Sequence, residues 1–122
     1  MNLTQVTSKV MADKTDLRTA AYRLLCHQIR LSILAQSDVP AVVNSLTGHG
    51  DRVATKWFQE VGKLNLTDAW KRAEVSKVLH EEMEAAIRDT RMSFGNTPSV
   101  FRGLAEFQKS FNADALIPKG DA

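Results

Sequence analysis

The chain has 122 residues and is poor in cysteine, proline and glycine. Cys26 is its single cysteine, which excludes an intrachain disulfide and a zinc site built from several cysteines. The three prolines and six glycines lie mostly at apparent helix ends, and no segment alternates polar and apolar residues as a strand does. These absences predict an all-α fold.

Long apolar runs are also absent, as is an N-terminal leader with basic residues followed by apolar ones. We therefore expect no secretion and no membrane span, and we expect a cytoplasmic location. Hydrophobic residues make up 43% of the chain and charged residues 25%, which are ordinary values for a globular protein. Length and composition together predict one folded domain.

An excess of charge of one sign is missing as well. The net charge is +2, with 8 basic and 5 acidic residues before position 64 and 8 basic and 9 acidic residues after it. The basic half favours nucleic-acid binding, but dedicated DNA-binding domains are usually more basic because phosphate neutralisation supplies most of their affinity. Charge alone therefore leaves both nucleic acid and protein open as partners.

Helical periodicity and end signals predict about five helices. They cover residues 15–36, 39–47, 52–61, 65–92 and 98–111. We expect helices one to three to form a compact unit, with a long fourth helix and a short fifth. The single helical domain spans residues 14–111, between a flexible arm at 1–13 and a flexible tail at 112–122.

Residues 38–63 resemble a helix-turn-helix in their dimensions. Gly48-His49-Gly50 is read as the turn and Asp51 as the cap of the second helix. Such a helix would lie in the major groove of double-stranded DNA and contact base edges and phosphates. Its outward side chains are Arg52, Thr55, Lys56, Gln59 and Lys63. An amphipathic helix of an ordinary bundle, with a solvated polar face, explains the same pattern.

A narrow polar strip on the first helix carries Arg23, His27 and Arg30 at helical spacing. Arg23 and Arg30 are candidate phosphate contacts beside the helix-turn-helix, and His27 would add sensitivity to pH. The alternative is a solvated edge of an otherwise buried helix.

The fifth helix carries an apolar stripe that suits protein binding. Its candidate partner-binding residues are Val100, Phe101, Phe107 and Phe111. The same spacing would also close a core. Because the first and fourth helices are both long and apolar, a homodimer would help to bury them.

Catalytic, metal and cofactor sites are not predicted. His80 and Glu84 lie four residues apart, but a di-metal bundle needs its Glu-x-x-His pattern on two helices and the sequence has no second copy. Cys26 and His27 are adjacent on a helix and point about 100° apart, so they do not form a nucleophile and base pair. The sequence thus predicts a small non-enzymatic regulator without a cofactor: a dimeric helix-turn-helix DNA-binding protein or, alternatively, a protein-binding inhibitor or assembly adaptor.

Overall fold

The computed structural model describes the backbone of residues 3–37, 40–64, 66, 68–94 and 97–118, and the side chains of these ranges apart from residues 3–15, 37 and 40–47. Within them, five helices and no strands are present: α1 Leu3–Ser37, α2 Pro40–Gly62, α3 Ala69–Phe94, α4 Pro98–Ser110 and α5 Ala113–Leu116. The predicted all-α fold is confirmed. Nowhere in the described ranges is a helix both long and apolar enough to cross a membrane.

Helix α1 is the central element and packs against α2, α3 and α4. Helix α1 covers Leu3–Ser37, whereas the predicted helix begins at residue 15. Residues 3–13, which are predicted as a flexible arm, are therefore helical. No glycine or proline interrupts this stretch, which favours a continuous helix. The buried apolar residues of α1 recur at helical spacing and form one broad face: Leu17, Ala20, Ala21, Leu24, Leu25 and Ile29. Burial of each large side chain contributes about 1.5–3 kcal/mol, which favours a fold built around α1.

Helix α2 is continuous from Pro40 to Gly62, and this corrects the predicted helix-turn-helix. Gly48, His49 and Gly50 are helical, and the predicted second and third helices are therefore one. The two glycines cost about 1 kcal/mol of helix propensity each. Packing of the helix on α1 offsets this cost, because Trp57 and Val61 are fully buried.

Helices α3 and α4 match their predicted positions closely. Buried residues of α3 are Val75, Val78, Leu79, Ala86 and Ile87. Trp70, in the first turn of α3, is by contrast 65% exposed. The predicted start of this helix at Asn65 lies outside the described residues. Pro98 occupies the first turn of α4 as predicted, after the N-cap residue Thr97.

Residues 112–118 are packed against the bundle, which corrects the predicted flexible tail. The Asn112 side chain accepts a hydrogen bond from the Asp114 backbone N–H at 3.1 Å and so caps the short helix α5. The Trp57 indole Nε1 donates to the Leu116 carbonyl at 2.9 Å, and Ile117 is buried. The segment therefore contributes to the core, while residues 119–122 of the predicted tail lie outside the described residues.

Gly103 allows α4 to lie directly on α1. A Cβ at Gly103 would lie 2.5 Å from the Ile33 Cα and 2.7 Å from the Ile33 backbone N, which is closer than atoms can pack. Because the neighbouring atoms are backbone, a side-chain movement cannot relieve the clash.

Substitution of two glycines should have opposite effects on stability. We expect Gly103→Ala to lower the free energy of unfolding by about 1–3 kcal/mol, because α1 and α4 must separate. Gly48 is exposed, and no described atom lies within 4 Å of a Cβ built on it. Gly48→Ala should therefore raise the free energy of unfolding by about 0.5–1 kcal/mol, the gain for a glycine inside a helix. Urea denaturation of both variants measures the two changes. A destabilised Gly48→Ala variant would contradict a continuous α2.

Candidate anion-binding groove

Helices α1 and α2 enclose a cavity of about 440 Å³, which we name the α1–α2 groove. Helix α1 contributes Ala20, Tyr22, Arg23, Cys26, His27 and Arg30, and α2 contributes His49, Arg52, Val53 and Lys56. Four of the lining residues are cations: Arg23, Arg30, Arg52 and Lys56. Arg23 and Arg30 are seven residues apart on α1, which places them about 10 Å apart along the helix axis. Arg52 and Lys56 are one turn apart on α2.

The four basic side chains of the groove are all exposed. The described side chains that line the groove include no carboxylate. Arg23, Arg30 and Arg52 form no ion pair within the described part of the chain. Three guanidinium groups are therefore available to an anion from outside, and guanidinium groups bind phosphate oxygens in bidentate geometry.

Lys56 is partly neutralised by a buried acid. Its Nζ lies 3.0 Å from Oε1 of Glu60, and Nζ of Lys63 lies 3.0 Å from the same oxygen. Hydrogen bonds from Lys63 and Lys56 hold the pKa of Glu60 below its usual range, so the carboxylate is charged at neutral pH. An anion in the groove would compete with Glu60 for Lys56.

The sequence predicts a solvated His27, but His27 is a buried residue of the groove and is only 5% exposed. The His27 and His49 rings meet edge to face with 5.4 Å between their centroids. A Cβ at Gly50 would lie 3.2 and 3.3 Å from Cδ2 and Cε1 of His27 and closer still to Nε2. A Cβ at position 50 would therefore displace the His27 ring, and glycine allows α2 to pack directly on it.

The electrostatic environment of His27 favours the neutral ring. Burial lowers its pKa most, and the nearby His49 and Arg30 lower it further. Its Nδ1 is buried and has no hydrogen-bond partner among the described residues. An unpaired buried nitrogen of this kind is uncommon in folded proteins.

A second cavity of about 490 Å³ lies between α1 and α3, and it shares Tyr22, Cys26 and Arg30 with the groove. There the Tyr22 hydroxyl donates to Oδ2 of Asp89 at 2.6 Å, which raises the pKa of Tyr22 and lowers that of Asp89. Cys26 lies between the two cavities, and burial raises the pKa of its thiol. The thiol is therefore protonated at neutral pH.

The predicted nucleic-acid-binding residues are only partly brought together. Arg23, Arg30, Arg52 and Lys56 line one groove, although the helix-turn-helix that motivated the choice of Arg52 and Lys56 is absent. Thr55 and Gln59 lie on another part of α2, with Asp51 and Phe58. The Thr55 hydroxyl donates to the Asp51 carbonyl at 2.7 Å. Lys63 follows the end of α2 and contacts Glu60.

The predicted partner-binding stripe is divided between core and surface. Val100 and Phe107 are buried, as the core interpretation of this stripe predicts, and they are therefore not available as docking residues. They face the core because α4 packs on α1. Phe111 is half-buried and contacts the rings of Phe107 and His80, whereas Phe101 is 49% exposed.

Sequence reasoning missed His49 as a groove residue and assigned His27 to the solvent. The signal was present, because Gly50, Val53, Trp57 and Val61 follow one another at spacings of three and four residues. Extending that spacing back through the glycines places His49 beside Arg52 and Lys56. The described residues contain no group of three or more His, Cys, Asp or Glu side chains arranged to hold a metal ion.

The lowered pKa of His27 predicts a loss of stability in mild acid. The unfolded chain takes up a proton at the ordinary histidine pKa of about 6.5, whereas the folded chain takes it up only at lower pH. The free energy of unfolding should therefore fall as the pH decreases below about 6.5. Denaturation between about pH 7.5 and 5 avoids most carboxylate titration.

His27→Gln should flatten this pH dependence, whatever its effect at neutral pH. His80→Gln is the matched control, because His80 lies outside the groove and contacts the Ser76 carbonyl and Phe111. An unchanged slope in His27→Gln would contradict the assignment.

Comparison with protein-family models, with curated proteins and with solved structures finds no match for this chain. The chemistry of the groove is therefore the basis for assigning a function.

Proposed function

We propose that this chain is a small non-enzymatic regulator that binds the phosphate backbone of nucleic acid in the α1–α2 groove. The observation that carries the proposal is the convergence of Arg23, Arg30, Arg52 and Lys56 on one cavity without a described carboxylate among its lining residues. Phosphate contacts of this kind supply most of the affinity in non-specific nucleic-acid binding.

The spacing of the cations supports a linear polyanion. Along one DNA strand a negative charge recurs about every 3.4 Å of helix axis, so the 10 Å between Arg23 and Arg30 corresponds to about three phosphates. Backbone contacts position a protein on nucleic acid but carry no sequence information. The proposal therefore involves binding independent of base sequence, without a recognition helix in the major groove.

Ion pairing elsewhere in the protein supports the same function. Arg18 pairs with Glu81 and Glu82 at 2.8 and 3.2 Å, which occupies these carboxylates away from the groove. The net charge of +2 therefore underestimates the positive charge that an anion meets in the groove. A cytoplasmic location, a homodimeric state and a role in transcription remain predictions from the sequence.

Salt dependence tests this function most directly. We expect the chain to bind labelled DNA of about 20 nucleotides, single-stranded or duplex, with a slope of log affinity against log salt of about −2 to −4, since four cations contact phosphate and Glu60 competes for one. Arg23→Gln combined with Arg52→Gln should lower the affinity at least tenfold and reduce the magnitude of the slope by about 2. Fluorescence anisotropy measures both.

Arg102→Gln combined with Lys109→Gln is the matched control. Both residues are exposed on α4, and neither lines the groove. The proposal fails if wild type does not bind at about 50 mM salt, or if the control variant loses as much affinity as the groove variant.

A second candidate function is protein binding through apolar side chains near the α3–α4 connection. Met92, Phe94 and Phe101 are 79%, 59% and 49% exposed, and aromatic side chains dominate many protein interfaces. This observation favours an adaptor or inhibitor that binds a partner protein or a second copy of the chain.

The two functions predict different variant effects. If the apolar residues bind a partner protein, the double variant Phe94→Ser and Phe101→Ser should lose a protein that wild type captures, while Arg23→Gln with Arg52→Gln should retain it. Affinity capture followed by mass spectrometry compares the three chains. Capture of the same proteins by all three would contradict protein binding at this surface.

A further inference from the structure

Besides the four cations, the α1–α2 groove contains two histidines to which the proposed function gives no role. His27 and His49 both line it, with 5.4 Å between their ring centroids. His27 is buried and its Nδ1 lacks a partner among the described residues, so the folded chain holds a polar group there whose hydrogen-bonding capacity is unused.

We infer that His27 and His49 are part of the anion site and that the groove takes up protons when it binds a phosphate backbone. This inference rests on the proposed function, and it adds two binding residues and a dependence on pH to it. An anion in the groove lies close to both imidazoles, and its negative charge favours their protonated, positive forms.

The described charged side chains that line the groove around the two rings are all cationic, and one of them, Lys56, is also paired with Glu60 of α2. On α1, Arg23 and Arg30 line the groove, and on α2, Arg52 and Lys56 do so. Without a ligand the pKa of His27 is lowered, by burial first and then by repulsion from His49 and from Arg30. The phosphates of a bound strand would replace this repulsion by attraction.

Carboxylates from the other helices do not line the groove. Asp89 of α3 lines the neighbouring cavity, which shares Tyr22 and Arg30 with the groove, and it accepts the Tyr22 hydrogen bond there. Glu82 of α3 is paired with Arg18. On α4, the charged residues Arg102, Glu106 and Lys109 are exposed and line no part of the groove. An incoming anion would therefore supply a negative group that the described lining of the groove does not contain.

Linkage gives the size of the expected effect. Suppose that binding raises the pKa of one histidine by about one unit. The affinity for DNA at a pH below both the free and the bound pKa of that histidine is then about tenfold higher than the affinity at a pH above both. Two histidines would give a larger ratio. The phosphodiester groups of the probe carry one negative charge throughout this range, so the titrating groups belong to the protein.

The test measures binding of labelled single-stranded DNA of about 20 nucleotides from about pH 8 to 5.5 at constant ionic strength. We expect the wild-type affinity to increase about tenfold or more over this range. His49→Gln should reduce the increase, and His27→Gln with His49→Gln should abolish it. His80→Gln is the matched control and should keep the full increase, because His80 lies outside the groove.

The histidine variants decide the result, since the α-amino group also titrates near pH 8. His49 is exposed, so His49→Gln should fold normally, and circular dichroism establishes whether the double variant does. Calorimetric titration in two buffers of different ionisation enthalpy measures the protons taken up by wild type directly.

Two negative results are distinguishable. Absence of DNA binding at every pH would overturn the proposed function itself. Binding whose affinity does not change with pH, or changes equally in the histidine variants and in wild type, would overturn the role of His27 and His49 and leave the function intact.

Discussion

The close approach of Gly50 to the His27 ring is the contact on which the rest of the structure depends. Because a glycine lies there, the α2 backbone can pack directly on the His27 ring of α1. The contact places Arg52 and Lys56 opposite Arg23 and Arg30, and it directs Trp57 into the core. Trp57 in turn donates to the Leu116 carbonyl, so the segment that follows α4 is held by the same helix. The groove and the position of residues 112–118 therefore both involve the packing of α2 on the bundle.

The distribution of ion pairs, rather than the total charge, explains how a chain with a net charge of +2 forms a cationic groove. Glu81 and Glu82 pair with Arg18, and Glu60 neutralises part of Lys56 and Lys63. Charges farther than about 8–10 Å are largely screened at physiological salt, so an anion in the groove responds to the nearest guanidinium groups. A protein with nearly equal numbers of acidic and basic residues can bind a polyanion when its carboxylates form ion pairs away from the binding site.

The sequence predicts the all-α fold, the course of α3 and the start of α4, because apolar spacing and Thr97-Pro98 are strong local signals. It fails at Gly48-His49-Gly50, where local propensity suggests a turn. The cost of two glycines in a helix is about 2 kcal/mol, which burial of Trp57 and Val61 exceeds. It also fails at residues 112–118, because the hydrogen bond from Trp57 to Leu116 joins residues far apart in sequence. Four of the seven predicted nucleic-acid contacts nevertheless line the groove, since Arg52 and Lys56 share a face of α2 whether or not that helix is interrupted.

A direct measurement of the contact between Gly50 and His27 tests the central claim. In the NMR spectrum of the labelled full-length chain, we expect nuclear Overhauser contacts from the Gly50 Hα protons to the His27 ring, together with helical Cα shifts at residues 48–50. Coil-like shifts at these residues and no Overhauser contact to His27 would show that α2 is interrupted there. The groove, and the nucleic-acid binding assigned to it, would then have no structural basis.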